Sequence, residues 1–275
     1  EENMKRIKTI LSTLVICTLG LSLIGCMNSK NNGENPASET NQTNDKSNVE
    51  LTISAAASLK EAMADIETEY NSSNPEVKLT FNFGSSGSLQ KQIEQGAPCD
   101  LFISAGQSQM KSLDEENLLL EGTNKNLVKN SLVLIGPKDT SLSSVNDLTS
   151  NDVKHIAMGE PTSVPAGKYA DEALTNMNLK DSVSEKLTFA KDVKEVLAWT
   201  VSGNAEAGFV YKSDALSSND AKIIETVPED KHSPITYPVA VLKESKNPDA
   251  SKEFEDFLFS DKCRSIFEKY GYEIA

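Results

Sequence analysis

Histidine is almost missing from this 275-residue chain, which has only His155 and His232. Neither is spaced with cysteine or another histidine as a zinc cluster requires, and His155, in an expected strand, reads as a satisfied structural histidine. Cysteine is scarce as well, at Cys17, Cys26, Cys99 and Cys263, so a disulfide scaffold is excluded. In an exported chain Cys99 and Cys263 could pair, but spacing does not show proximity, and two buried thiols are expected. Basic residues are few: 27 Lys and Arg stand against 41 Asp and Glu, for a formal charge of −14. Residues 1–25 carry Lys5, Arg6 and Lys8 against Glu1 and Glu2, so the remainder carries −15. A chain this acidic is repelled by a phosphate backbone, which excludes nucleic acid as a partner. Nucleotide and nucleophile motifs are absent too. A P-loop would need glycine at 162 and Ser or Thr at 169, where Thr162 and Tyr169 stand. Gly84-Ser85-Ser86-Gly87-Ser88 has its second glycine one place early for a nucleophile elbow. No catalytic constellation remains, and the chain is not expected to be an enzyme.

There is one long apolar run, Ile10 to Ile24, preceded by Lys5, Arg6 and Lys8. It is short for a membrane span and flanked as a signal peptide, so residues 1–25 are expected to be removed, with Met4 as the start. Its end, Leu23-Ile24-Gly25-Cys26, resembles the lipobox of bacterial lipoproteins. That resemblance implies a diacylated Cys26, and two acyl chains anchor stably where one binds marginally. From Cys26, residues to 48 are Asn, Ser, Thr, Lys and Glu with almost nothing apolar, a composition expected to form a disordered tether.

The rest is regularly patterned. Val49, Leu51 and Ile53 alternate as a strand, and Leu59, Met63, Ile66 and Tyr70 follow at helical spacing. Val77 to Phe83 repeats the unit, Leu101 to Ser104 is a short buried strand, and Leu132 to Ile135 closes at Gly136-Pro137. Strands then recur at His155 to Met158, Ala207 to Tyr211, Ile223 to Val227 and Tyr237 to Leu242. Helices are expected from Ala166 to Met177, from Val193 to Thr200, and twice near the C-terminus, with Gly271 as a C-cap. Trp199, Phe254, Phe257 and Phe267 read as core. Strands alternating with helices predict an α/β architecture with largely parallel sheets.

Several helices open just after strands on small or hydroxyl residues. Ser58-Leu59-Lys60-Glu61 reads as a capping box, Ser85-Ser86-Gly87-Ser88 is rich in hydroxyls, Val164-Pro165-Ala166-Gly167 puts proline near the first helical position, and Asp192-Val193-Lys194-Glu195 offers a second box. Helix N-termini at the carboxyl ends of strands present unpaired N–H groups to an anion, with no need for Lys or Arg. One such end is commonplace, but a set of them suggests an oxyanion site. Asp192 leaves open a protonated anion, which would need an acceptor.

In order, Ser54-Ala55-Ala56-Ala57-Ser58-Leu59, Phe83-Gly84-Ser85-Ser86, Gly96 to Ala105, Val164-Pro165-Ala166-Gly167-Lys168-Tyr169-Ala170 and Tyr237-Pro238-Val239-Ala240-Val241 closely resemble the molybdate-binding proteins of ATP-driven (ABC-type) importers. The likeness spans residues 49–275. It implies a type II periplasmic-binding-protein fold, two α/β lobes joined by two crossing hinge segments. Lobe one would be residues 49–130 plus 239–275 and lobe two 131–238, with hinge strands near Leu132 to Ile135 and Val239 to Leu242. It also implies an oxyanion bound by Ser58, Ser86, Ala166 and Val193 through backbone N–H, the serines adding hydroxyls, and by Tyr211 through its phenol. Molybdenum would be bound only as the oxyanion, molybdate or tungstate, with no direct protein–metal ligand and no cofactor. The expected partners are the permease subunits and, through the lipid, the cell membrane, with the protein extracytoplasmic and monomeric. Gly84, Gly87 and Cys99 depart from the family pattern and bear on fine selectivity. Rival readings remain: a same-fold receptor for sulfate, phosphate or an organic anion, a secreted serine hydrolase, and a surface adhesin or sensor.

Overall fold

The computed structural model describes residues 49–275. The expected signal peptide, the lipid site Cys26 and the tether lie outside the described residues.

Strand β1 (Val49–Ala56) buries Leu51, Ile53 and Ala55 and leads through a 3₁₀ turn at Ala57–Leu59 into α1 (Lys60–Ser73). On α1, Met63, Ile66 and Tyr70 fall on one face at helical spacing and are buried, and Tyr70 meets Phe254 and Phe257 edge-on, with centroids 4.9 and 5.0 Å away. Then come β2 (Val77–Gly84), α2 (Ser86–Glu94), β3 (Leu101–Ile103), α3 (Gln107–Glu115) and β4 (Lys125–Lys129). Asn130 and Ser131 carry the chain into a second sheet. It contains β5 (Leu132–Pro137), β6 (Ile156–Gly159), α4 (Pro165–Asn176), α5 (Lys180–Val183), β7 (Leu187–Ala190), α6 (Val193–Val201), β8 (Ala207–Tyr211), α7 (Lys212–Leu216) and β9 (Ala221–Thr226). The chain returns to the first sheet as β10 (Thr236–Val241), α8 (Pro248–Leu258), α9 (Asp261–Lys269) and β11 (Glu273–Ile274).

The six-stranded sheet runs β11-β4-β10-β3-β1-β2 and the five-stranded sheet β7-β6-β8-β5-β9, one for each lobe of an α/β fold. The sheets are mixed, which corrects the expectation of largely parallel pairing. β1 is parallel to β2 and β3, and β6 to β7 and β8, whereas β10 is antiparallel to β3 and β4, β11 to β4, and β5 to β8 and β9. The antiparallel pairings centre on β5 and β10, which follow the two crossings and so enter each sheet from the opposite end. The strands expected to act as hinges, Leu132 to Ile135 and Val239 to Leu242, are built into these ladders. The crossings themselves are Asn130-Ser131 and the segment between Thr226 and Thr236.

Other local expectations divide. Gly271 adopts φ +82° and closes α9, its N–H donating to Glu268 O at 2.9 Å, while Phe254 and Phe267 are buried and Trp199 only partly so. His155 stands exposed one residue before β6, and His232 is the buried one, its Nδ1 2.8 Å from Ser233 O. Both described cysteines are free thiols, but only Cys263 is fully buried; Cys99 is half-buried at the end of a loop. No helix among the described residues is long and apolar enough to cross a membrane.

Candidate functional site

The parallel strands point their carboxyl ends at one place. β1 ends in the Ala57–Leu59 turn, β2 at the start of α2, β6 before α4 and β7 before α6, so three helix N-termini and one 3₁₀ turn face a common small cavity. Ser58, Ser86, Ala166, Val193 and Tyr211, the five residues singled out from the sequence, all line it. Ser86 and Val193 are the first residues of their helices and Ala166 the second of α4, positions whose N–H groups have no partner inside the helix. The cavity's free volume of about 10 Å³ is room for one small occupant, far below the range of about 300–1,000 Å³ usual for organic ligands. No lysine or arginine lines it, so positive character comes from amides and helix dipoles.

Side chains complete the cage. The helix opened by Ser86 is capped by Ser85, whose Oγ accepts from the Ser88 N–H at 3.4 Å, leaving Ser86 Oγ to accept from the Ala105 N–H at 2.9 Å. Ser86 therefore keeps its own proton for the cavity. Tyr211 is buried, its hydroxyl donating to Ala105 O at 3.4 Å, and burial first of all pushes its pKa well above the ordinary tyrosine value. It stays a neutral O–H donor. Ala105, at the end of a quoted motif but given no role from sequence, thus engages both hydroxyls, leaving the Ser86 proton free and holding the Tyr211 proton on its carbonyl until that hydroxyl turns to an anion.

Ser58 does not cap. α1 begins two residues later behind the 3₁₀ turn, Ser58 Oγ lies 3.0 Å from Tyr237 Oη, and Glu61 faces Lys194 instead of reaching back, so the capping-box reading was wrong. Asp192 does cap α6, its Oδ1 accepting from the Glu195 N–H at 2.9 Å, while Glu195 accepts from the Lys191 N–H at 2.9 Å, one residue short of a closed box. Asp192 is the one charged residue on the lining.

Around the cavity the lobes touch. The Gly87 N–H donates to Ser163 O at 3.0 Å, and a Cβ at Gly87 would lie 2.5 Å from that oxygen. Lys194, next to Val193, lies 2.6 Å from Glu61 of the other lobe and 2.9 Å from Asp214 of its own. Burial works to lower the Lys194 pKa, but the two carboxylates outweigh it and raise it; for Asp214 burial prevails and raises the carboxyl above its usual range. Among the described residues no group of His, Cys, Asp and Glu is placed to hold a metal ion.

Residues 51–273 match the family model described as bacterial extracellular solute-binding protein. The chain is 40% identical over 227 residues to the molybdate-binding protein of Haemophilus influenzae, covering 81% of this chain and 89% of that one. It is 40% identical over 230 residues to the molybdate-binding protein of Escherichia coli K12, covering 82% and 89%. Among solved structures, the "substrate binding domain of putative molybdenum ABC transporter" from Clostridium difficile aligns at 64% identity and TM-score 0.66, covering 82% of this chain and 99% of that chain.

Proposed function

Because this chain belongs to the bacterial extracellular solute-binding proteins, which capture a solute and do not transform it, we propose that its solute is molybdate, and tungstate with it, enclosed between the two lobes and delivered to an ABC-type importer. One observation supports this above the rest: three helix N-termini and the residues Ser58, Ser86 and Tyr211 converge on a small cavity that no lysine or arginine lines. Such a cage stabilises a tetrahedral dianion by hydrogen bonds alone. It discriminates by size, since a smaller sulfate leaves donors unpaired at a cost of about 1–3 kcal/mol each.

Residues 49–130 with 236–275 and residues 131–226 are the two bodies that close on the ion, swinging about Asn130-Ser131 and the segment between Thr226 and Thr236, because Thr236 to Pro238 belong to β10 of the first sheet. Ser58 and Ser86 contribute from one, and Ala166, Val193 and Tyr211 from the other, so bound ion favours the closed arrangement. The protein acts outside the cytoplasm as a monomer, tethered by a lipid on Cys26 so that it stays near its permease.

Asp192 supports a second reading, because a carboxylate on the lining accepts from an anion that carries a proton, such as hydrogen phosphate. Its Oδ1 is engaged by the Glu195 N–H, which favours the first reading. Isothermal titration of residues 49–275 with molybdate, tungstate, sulfate and phosphate decides between them. One-to-one binding of the first two alone is expected, and phosphate binding with molybdate silent would favour the second.

A further inference from the structure

Behind Ser58 lies a buried polar chain that the five contact residues do not explain. Tyr237 is fully buried, packed edge-on between Tyr211 and Tyr272, each with its ring centroid 5.6 Å away. Its hydroxyl is 3.0 Å from Ser58 Oγ, a distance that by itself leaves either oxygen free to be the donor. The second neighbour of that hydroxyl bears on the direction, because a donor there leaves Ser58 Oγ as the one described acceptor for the buried Tyr237 proton. Asn130 Oδ1 accepts from the Ser131 N–H at 2.9 Å, which fixes the amide's orientation and turns Nδ2 towards Ser213 Oγ, at 2.9 Å, and Tyr237 Oη, at 3.4 Å. An amide NH₂ has protons and no free lone pair, so even across this long contact Tyr237 can only accept.

We infer that Asn130, acting through Tyr237, fixes the Ser58 hydroxyl as a donor to the anion. This rests on the molybdate reading. A phenol has one proton; with Asn130 donating into its oxygen, Tyr237 passes that proton to Ser58 Oγ, and Ser58 keeps its own for the cavity. The Tyr272 hydroxyl donates to Ser58 O at 2.7 Å and holds the turn in place. Ser86 is arranged alike, its oxygen engaged by the Ala105 N–H at 2.9 Å. Asn130 and Tyr237 are positioning residues, and Asn130 lies on the crossing between the sheets, so the relay is set where the lobes join.

Reversal of the relay is the test. In Asn130→Asp a carboxylate takes the Tyr237 proton, and Tyr237 in turn draws on the Ser58 hydroxyl, which then presents lone pairs to the dianion. Titration with molybdate is expected to show binding weakened by about tenfold or more in Asn130→Asp and by only about threefold in Tyr237→Phe. Asn130→Asp/Tyr237→Phe should bind as Tyr237→Phe does, since phenylalanine cuts the relay. A double variant as weak as Asn130→Asp would mean that the new charge or a distorted crossing caused the loss, and would overturn the relay, as would Asn130→Asp binding like the wild type. A wild type silent to molybdate would instead remove the reading on which the relay rests, and the relay with it. Melting temperatures report folding. If Asn130→Asp does not fold, Asn130→Ala makes the same comparison, and its loss must vanish on the Tyr237→Phe background.

Discussion

Lys194 of the second lobe lies 2.6 Å from Glu61 of the first, while its other carboxylate partner, Asp214, is completely buried beside it. The two contacts differ in kind. Glu61 is about one-third exposed and joins Lys194 across the cleft, so Glu61→Gln should leave the fold intact and weaken molybdate binding by a few-fold, through faster release, as read by stopped-flow dissociation. Lys194→Met strands a buried carboxylate and should cost about 3–5 kcal/mol of stability in denaturant unfolding. Because the Lys194 pKa is raised, the stability it lends is fully present below the ordinary lysine value of 10.5 and is lost as pH rises through the raised value. Faster release on the alkaline side is therefore expected, and release that stays constant as pH rises through the raised value would remove Lys194 as the latch.

Gly87 brings the backbones of the two lobes together, its N–H donating to Ser163 O at 3.0 Å. A methyl there would press on the Ser163 carbonyl, 2.5 Å away, which is backbone and cannot turn aside. Gly87→Ala should prop the cleft and weaken binding by about tenfold, since overpacking costs about 1–3 kcal/mol, with the melting temperature of the unliganded protein little changed. Wild-type affinity would show that the bound state does not need this contact.

Ser86→Pro isolates one backbone donor. Proline is tolerated at the first position of a helix, and the preceding Ser85, at φ −66° and ψ 141°, already has the extended backbone that a following proline requires. The helix should persist by circular dichroism while binding is lost. Ser86→Ala, which removes only the hydroxyl, should lose less. Equal losses would assign the contact to the hydroxyl alone.

Tyr211→Phe removes a hydroxyl without changing the ring that packs on Tyr237. A hydrogen bond to a charged acceptor contributes about 1.5–3 kcal/mol, so titration should show molybdate bound at least tenfold more weakly, with unchanged denaturant unfolding. Unaltered affinity would take Tyr211 out of the cage.

Much of this was legible before the structure, for physical reasons. Alternation in β1 and β2 and the spacing of Met63, Ile66 and Tyr70 reflect one buried face each, and Pro165 reports the start of α4 because proline fits there and not further in. What failed needed tertiary partners. β4 has only Leu127 and Val128 buried, and β7 only Ala190, too little apolar pattern to announce a strand. Ser58 and Glu61 have the spacing of a capping box, but Tyr237 and Lys194, 179 and 133 residues away along the chain, compete for their side chains. The antiparallel course of β5 and β10 depends on where the crossings lie, which local pattern does not encode. Ala105 escaped notice because its role is carried by backbone N–H and C=O, which any residue has.

The most direct test of the account is a crystal structure of residues 49–275 grown with molybdate, with molybdenum located by its anomalous scattering. The account predicts one molybdenum in the cavity, its four oxygens within hydrogen-bond distance of the amides of Ser58, Ser86, Ala166 and Val193 and the hydroxyl of Tyr211, and no protein atom bound to the metal. Molybdenum found elsewhere, ligated by a side chain, or contacted by one lobe only would contradict it.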